Sequence, residues 1–175
     1  ADVGAYHIAQ GLRLRGPIDA DALERSLRAL IERHASLRTR FVAADGVPAQ
    51  IEEADARGFS LERLSIEATD TATQSAQLEA CVRDCALRPF DLSQAPLMRA
   101  LLVRCAPDDH VLLLVVHHIA ADRWSFGVLM RELGVLSNEL LDVNQLSRSY
   151  GSHVARQNGG QHAYIDVTQL PAHDE

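Results

Sequence analysis

The chain has 175 residues, of which 47% are hydrophobic and 23% charged. This composition excludes disorder along the whole chain and indicates one domain or one lobe of a larger domain. The 24 acidic and 17 basic residues give a formal net charge of −7, which repels phosphate backbones, so we expect no nucleic-acid partner. The longest purely apolar run, 111–116, is too short to cross a bilayer, so we expect no membrane partner.

The three cysteines are Cys81, Cys85 and Cys105, and their spacing matches no zinc motif. Cys81 and Cys85 lie one helical turn apart, which suits small buried side chains better than a disulfide. No basic region followed by an apolar stretch is visible, so we predict no signal peptide. A cytoplasmic, reducing location is therefore expected.

In the first half of the chain, hydrophobic residues recur with the periods of strands and helices in turn. The predicted elements are a strand over 5–14, a helix capped by Asp19 and ending near His34, strands over 37–42, 49–53 and 59–66, and a helix over 69–87. Asp45-Gly46 predicts a hairpin turn between the second and third strands. Pro89 is expected to end the second helix.

The second half contains the most apolar segment of the chain. The predicted elements are a strand over 97–105, a turn over 107–109, a strand over 111–116 and a helix over 122–141. A continuously apolar strand is typical of a central strand that is buried on both faces. The mixed order of elements predicts an α/β (α+β) two-layer sandwich. The pattern weakens after Leu141, so we place one lobe at 1–157 and an irregular segment with a linker at 158–175.

The strongest candidate for chemistry is the run from His117 to Asp122, which follows the apolar strand and precedes the amphipathic helix. Consecutive strand residues point to opposite faces, so His117 and His118 cannot serve one site in the same way. A neutral imidazole at a strand end can accept a proton from an attacking amine or hydroxyl. A carboxylate at Asp122 is favoured by the helix dipole and the free N–H groups.

Other interpretations of this run remain open. A paired histidine at a strand end is often structural or incidental, and Asp122 can be a plain helix cap. Histidine and aspartate also bind zinc, but adjacent strand histidines chelate one ion poorly and no third strong ligand is evident. We therefore predict no metal.

Two segments resemble a known family. Residues 116–125 (VHHIAADRWS), with the helix that follows, resemble the signature HHxxxDG of nonribosomal peptide synthetase condensation domains. Residues 33–41 (RHASLRTRF) resemble the family motif RHExLRTxF. A thinner match places Tyr150 and Gln157 at the ends of the family motif YxDYAxWQ. The first motif is shared with related acyltransferases, whereas both motifs at this separation point to the peptide synthetases.

The resemblance implies a fold and an activity. The fold would be the N-terminal lobe of a chloramphenicol acetyltransferase-like domain, in which two lobes form a tunnel. Upstream and downstream peptidyl carrier proteins would deliver a thioester and an amine on their phosphopantetheine arms, with no cofactor bound covalently to the domain, and an amide would form. The C-terminal lobe would be a further partner. An isolated lobe would expose an apolar face that invites self-association, and it would be inactive alone.

The resemblance also implies roles for individual residues. His118 would be the catalytic residue, acting as a base or positioning the amine, and His117 would be structural. Asp122 would hold the motif by pairing with an arginine, for which we predict Arg38, with Arg33 as the second choice.

The chain departs from the family motif at Arg123, where the family has glycine. An arginine adds bulk and charge beside the expected tunnel, or it points outward as an ordinary helix residue. We expect Arg123, with its neighbours Trp124 and Ser125, to modify the tunnel. Two alternatives to amide formation are a related acyltransferase that forms an ester, and a degenerate, non-catalytic member that recruits another protein.

Overall fold

The protein is described from a computed structural model, which defines residues 6–44, 46–67 and 70–140. Along these ranges the elements are β1 (His7–Arg15), α1 (Ala20–Arg33), a 3₁₀ helix (Ala35–Arg38), β2 (Thr39–Ala44), β3 (Val47–Glu52), β4 (Leu61–Ser65), α2 (Thr71–Leu87), β5 (Met98–Ala106), β6 (Asp109–His117) and α3 (Arg123–Leu140). The predicted boundary at residue 157, the segment 158–175 and the motif match at Tyr150 and Gln157 lie outside the described residues.

Four strands form the main sheet in the order β1-β6-β5-β4. β6 is antiparallel to both of its neighbours, whereas β4 is parallel to β5. β2 and β3 form a separate antiparallel hairpin, as the sequence predicted. The prediction that the first of these strands begins at Leu37 was wrong, because residues 35–38 form a 3₁₀ helix that buries Leu37.

The sheet is covered by helices on both faces. Residues of β5 and β6 that point to one face pack under α1 and α3; those that point to the other face pack under α2. The mixed α/β fold is confirmed, but it has three layers instead of the predicted two. The continuously apolar sequence of β6 explains this arrangement, because every residue from Val111 to Val116 is buried.

The first face is built around two neighbouring helices. The Asp19 carboxylate accepts hydrogen bonds from the backbone N–H groups of Asp21 and Ala22, so α1 begins at the predicted cap. α1 then buries its apolar side against the sheet and against α3. At the far end of α1, His34 contacts Glu132 of α3 at 2.8 Å. These contacts fix α3 over the sheet and so position the turn that leads into it from β6.

Candidate functional site

The turn that joins β6 to α3 comprises residues 117–122, which we call the histidine turn. Three backbone hydrogen bonds hold it: His117 N–H donates to the Leu97 carbonyl at 3.0 Å, His118 N–H to the Tyr6 carbonyl at 2.7 Å, and Ala120 N–H to the His117 carbonyl at 2.9 Å. The turn is thus attached to the chain just before β1 and just before β5. Since both attachments are to backbone atoms, they fix the turn whatever side chains it carries.

His117 is half-buried and takes part in the turn itself. Its Nδ1 accepts a hydrogen bond from the backbone N–H of Ile119 at 3.1 Å. Only a ring without a proton on Nδ1 can accept this bond, so the geometry requires a neutral His117 that carries its proton on Nε2. The structural role predicted for His117 is consistent with this contact.

Three rings surround His117, and we call Tyr6, His7 and Phe90 the aromatic clasp. The ring of Phe90 meets His117 edge-on with centroids 5.8 Å apart, and His7 does so at the same distance. Tyr6 stacks on the outer side at 6.3 Å. His7 is itself held by a 2.8 Å contact between its Nδ1 and the Ala86 carbonyl at the end of α2. The clasp therefore connects the histidine turn to the helix on the other face of the sheet.

Arg99 of β5 packs against the aromatic clasp through its contact with Phe90. Its guanidinium carbon lies 3.8 Å from the centre of the Phe90 ring, a cation–π contact. Its terminal nitrogens donate to the carbonyls of Arg88 and Pro89, while its Nε has no hydrogen-bond partner among the described residues. Burial lowers the pKa of the Arg99 guanidinium.

The same surroundings act on His117. Burial lowers the pKa of His117 below its ordinary value of 6.5, and the charges of His7, His118 and Arg99 lower it further. The neutral ring required by the hydrogen bond from Ile119 is therefore also the form that the electrostatics favour at pH 7.

His118, by contrast, is exposed. Three large side chains in or next to the histidine turn are exposed as well: Tyr6 is 66% exposed, Ile119 48% and Trp124 79%. The histidine turn thus has an accessible imidazole, and large apolar side chains in and next to the turn are exposed. Such a surface suits contact with another apolar face or with an organic substrate.

Asp122 caps α3. Its carboxylate accepts a hydrogen bond from the backbone N–H of Ser125 at 2.6 Å, and its carbonyl accepts one from Phe126 at 2.9 Å. The hydroxyl and N–H of Ser125 hold the pKa of the Asp122 carboxyl below its usual range, and the charge of His118 lowers it further. Asp122 is therefore ionised at neutral pH, and its field reaches the His118 ring.

The predicted ion pair between Asp122 and Arg38 is not formed. Arg38 instead contacts the Glu52 carboxylate at 2.7 Å and donates to the Glu53 carbonyl at 2.5 Å. The second choice, Arg33, lies 3.6 Å from Glu132. The prediction assumed that the carboxylate would be buried. Since Asp122 is exposed and bound by the helix N-terminus, it needs no cation.

The three residues after Asp122 occupy the first turn of α3. Arg123 and Trp124 are exposed, and Ser125 is half-buried at the cap. Whether Arg123 modifies a tunnel stays a prediction. No group of three or more His, Cys, Asp or Glu side chains within the described ranges could hold a metal ion. In the same ranges, no helix is both long and apolar enough to pass through a membrane.

Sequence reasoning missed the aromatic clasp and Arg99. Phe90 and Arg99 lie 27 and 18 residues before His117, in segments that carry no motif we recognised. The only local signal was that Phe90 precedes Pro96 and Arg99 follows it. This combination of residue types is too common to predict a contact.

Known proteins resemble this chain in sequence and in structure. A family model described as the condensation domain matches residues 2–164. One of the linear gramicidin synthase proteins of Brevibacillus parabrevis is 41% identical over 140 residues, which cover 80% of this chain and 3% of the synthase protein. The chain thus spans only a small part of this curated relative.

Solved structures give the same result. A variant of the starter condensation domain of rhizomide synthetase RzmA superposes with a TM-score of 0.67 at 26% identity, covering 76% of this chain and 32% of that one. The X-domain in its complex with OxyB from teicoplanin biosynthesis superposes with a TM-score of 0.65 at 30% identity, covering 76% of this chain and 27% of that one. These likenesses confirm the predicted chloramphenicol acetyltransferase-like lobe. The chain belongs to the condensation-domain family.

Proposed function

We propose that this chain supplies the catalytic-histidine lobe of a condensation domain that joins a carrier-bound acyl thioester to a carrier-bound amine. His118 is the proposed catalytic residue. The observation that carries the proposal is the geometry of the histidine turn: His117 is held in the clasp, whereas His118 is left exposed beside an ionised Asp122.

The proposed reaction forms one bond and breaks another. The acceptor nitrogen attacks the thioester carbon, the carbon–sulfur bond breaks, and the proton lost by the nitrogen ends on the departing sulfur. His118 accepts this proton from the amine, or holds the amine so that its lone pair faces the thioester. The ionised Asp122 stabilises the imidazolium that forms when the ring takes the proton, since opposite charges attract.

The partners follow from the reaction. Two carrier proteins bring the reacting groups on phosphopantetheine arms, one upstream and one downstream, and the domain itself binds no cofactor covalently. The exposed apolar side chains of Tyr6, Ile119 and Trp124 support a second wall that packs opposite His118. We propose that the C-terminal lobe forms this wall, and that the present chain is inactive without it and associates with itself through the uncovered face. A cytoplasmic location stays a prediction.

The test joins this chain to a C-terminal lobe and supplies both loaded carrier proteins. Product formation should fall by about 10²-fold or more in His118→Ala, the size expected when an acid–base group is removed. The control is Arg83→Ala, which removes an exposed side chain of α2 on the other face of the sheet and should leave turnover unchanged. A His118→Ala domain that turns over like the wild type would refute the assignment.

The same assay separates amide from ester formation. An acceptor carrier loaded with an amine and one loaded with the corresponding hydroxy acid are offered in parallel. Amide formation in clear excess supports the peptide synthetase function. Exclusive ester formation supports the related acyltransferase.

A recruitment function is the second candidate, and one observation favours it. The structurally similar X-domain forms a complex with OxyB. Arg123, in place of the family glycine, and the exposed Trp124 give this lobe a surface next to His118 that could bind a protein instead of a substrate. Turnover in the assay above excludes a purely recruiting role. If Arg123 obstructs the tunnel, Arg123→Gly raises that turnover.

A further inference from the structure

A second cleft lies at the other end of β6, about 23 Å along the strand from the histidine turn. Its volume is about 380 Å³, at the small end of the range for ligand sites. The segment before α1, the end of β4 and the turn between β5 and β6 line it, and it is open to solvent on one side. We call it the far cleft and use six of its lining residues: Ile18, Leu102, Arg63, Ser65, Arg104 and His110.

His110 is the unusual member of this group. The residue is only 6% exposed, yet its Nδ1 has no hydrogen-bond partner among the described residues. Burial lowers the pKa of His110, and the neighbouring charge of Arg104 lowers it further. A buried polar ring without a partner is costly, so such a group in a native protein calls for a ligand or another specific cause. His110 is also one of the residues that line the far cleft.

Arg104 supplies a cation beside this ring. It lies directly across from His110 in the antiparallel pair of β5 and β6, so the two side chains share one face of the sheet. Its guanidinium makes no hydrogen bond or ion pair with the described residues, and the residue is exposed. Ser65 lies across from Arg104 in the parallel pair of β4 and β5, which adds a hydroxyl on the same face.

The other charge in the cleft is already neutralised. Arg63 contacts Asp21 at 2.7 Å and Glu24 at 2.9 Å, so it does not need an external anion. Asp108 and Asp109 lie near His110, but Asp109 is paired with Arg13 through a 2.8 Å hydrogen bond. Arg104 is therefore the cation available to a ligand, while Ile18 and Leu102 give the cleft apolar walls.

From these features we infer that the far cleft binds a small amphiphilic anion, whose carboxylate or phosphate contacts Arg104, Ser65 and the ring of His110 and whose short apolar chain lies against Ile18 and Leu102. The guanidinium is suited to either oxyanion. The volume is ample for an anion with a chain of a few carbon atoms. This site is separate from the histidine turn and does not depend on the function proposed there.

The test is a titration of the 175-residue chain with hexanoate, followed by the ¹H–¹⁵N spectrum. We expect saturable shifts of the amides of Ser65, Arg104 and His110. In Arg104→Gln the affinity should fall about tenfold or more, as expected when a charged hydrogen-bonding partner is lost. Arg104 is exposed, so this variant should fold. Arg83→Gln is the matched control, because Arg83 is an exposed arginine on α2 at the opposite face, and it should bind like the wild type.

Two further titrations decide which half of the ligand matters. Hexanol at the same concentrations lacks the anion, and inorganic phosphate lacks the chain; each should bind more weakly than hexanoate. The inference is overturned if hexanoate causes no saturable shift in these amides, if Arg104→Gln binds it unchanged, or if hexanol binds equally well. Phosphate binding as tight as that of hexanoate would overturn the amphiphilic part.

Discussion

The two ends of β6 carry histidines in opposite situations. At the C-terminal end, His117 is half-buried but satisfied, because Ile119 donates to its ring and the clasp packs around it. At the N-terminal end, His110 is more deeply buried and its Nδ1 has no partner among the described residues. One strand, with the same register and the same neighbours β1 and β5, thus holds one ring in a finished hydrogen-bond network and another in an open cleft.

This difference shows the effect of the hydrogen bonds and ring contacts at the C-terminal end of β6. Since His117 is fixed, the residue after it leaves the strand in a defined direction and His118 becomes accessible. The satisfied histidine is the support, and the exposed one is the residue that we propose for catalysis. At the other end no such division exists, and the buried ring lies next to an exposed arginine instead.

The largest expected effect comes from removing the clasp. Phe90→Ala should cost about 2–3 kcal/mol of folding free energy, less than a fully buried phenylalanine because Phe90 is half-buried. It should also shift the Ile119 amide resonance, since the bond to His117 loses its support. Phe41→Ala is the control, because Phe41 is likewise half-buried in the core but, among the described residues, makes no ring contact with His117. Chemical denaturation should show a loss for both variants, and only Phe90→Ala should move Ile119.

A smaller effect is expected at Arg38. Arg38→Gln should cost about 1–2 kcal/mol in the same denaturation experiment, because it breaks the contact with Glu52 and the hydrogen bond to the Glu53 carbonyl. A double-mutant cycle with Asp122→Ala should be additive within about 0.5 kcal/mol, since the two side chains do not meet. A coupling energy above about 1 kcal/mol would instead show that Arg38 and Asp122 form the ion pair that we predicted from the sequence.

Asp122 has two roles, as the cap of α3 and as a negative charge near His118, and two substitutions separate them. Asp122→Ala should cost about 1 kcal/mol because α3 loses its cap, whereas Asp122→Asn should cost only a few tenths, since asparagine also caps helices. Thermal or chemical denaturation measures both. In the condensation assay, Asp122→Asn should nevertheless lower turnover, because the imidazolium of His118 loses its neighbouring negative charge. Equal turnover of Asp122→Asn and the wild type would remove that role.

The smallest predicted effect is a dependence of stability on pH. The pKa values of His110 and His117 lie below 6.5 in the folded chain, so the unfolded chain binds more protons just below that pH. Their contribution to stability is complete above pH 6.5 and is lost as the pH falls towards the folded values. Denaturation at about pH 7.5 and about pH 5.5 should show lower stability at the lower pH, and a smaller difference in His110→Met. A wild-type chain that is more stable at the lower pH would contradict this.

The sequence predicted those features that depend on local patterns. The cap at Asp19, the hairpin at Gly46 and the central strand over 111–116 each have a signal within a few residues, and each was confirmed. The number of layers was predicted wrongly, although the sequence indicated the right number. A strand that is apolar at every position is buried on both faces of its sheet, so helices are expected on both sides.

The candidate site was predicted only in part, again because sequence patterns carry mainly local information. The motif located the histidine turn and the cap at Asp122, both of which are local. The partner of Arg38 was wrong because nearby glutamates on and beside β3 compete for it, and a linear motif does not rank such competitors. Arg99 and Phe90 meet His117 only through the pairing of β5 with β6 and the path of the chain after α2, which no short pattern encodes.

The central claim is that His117 is a neutral acceptor whose fixed position leaves His118 free. The most direct measurement is the ¹⁵N chemical shift of the imidazole nitrogens of His117 at about pH 7.5, above the ordinary histidine pKa, in a chain labelled on histidine. The structure predicts a ring that carries one proton on Nε2, with an unprotonated Nδ1 that accepts from the Ile119 amide. A proton on Nδ1, or a charged ring at that pH, would contradict the account.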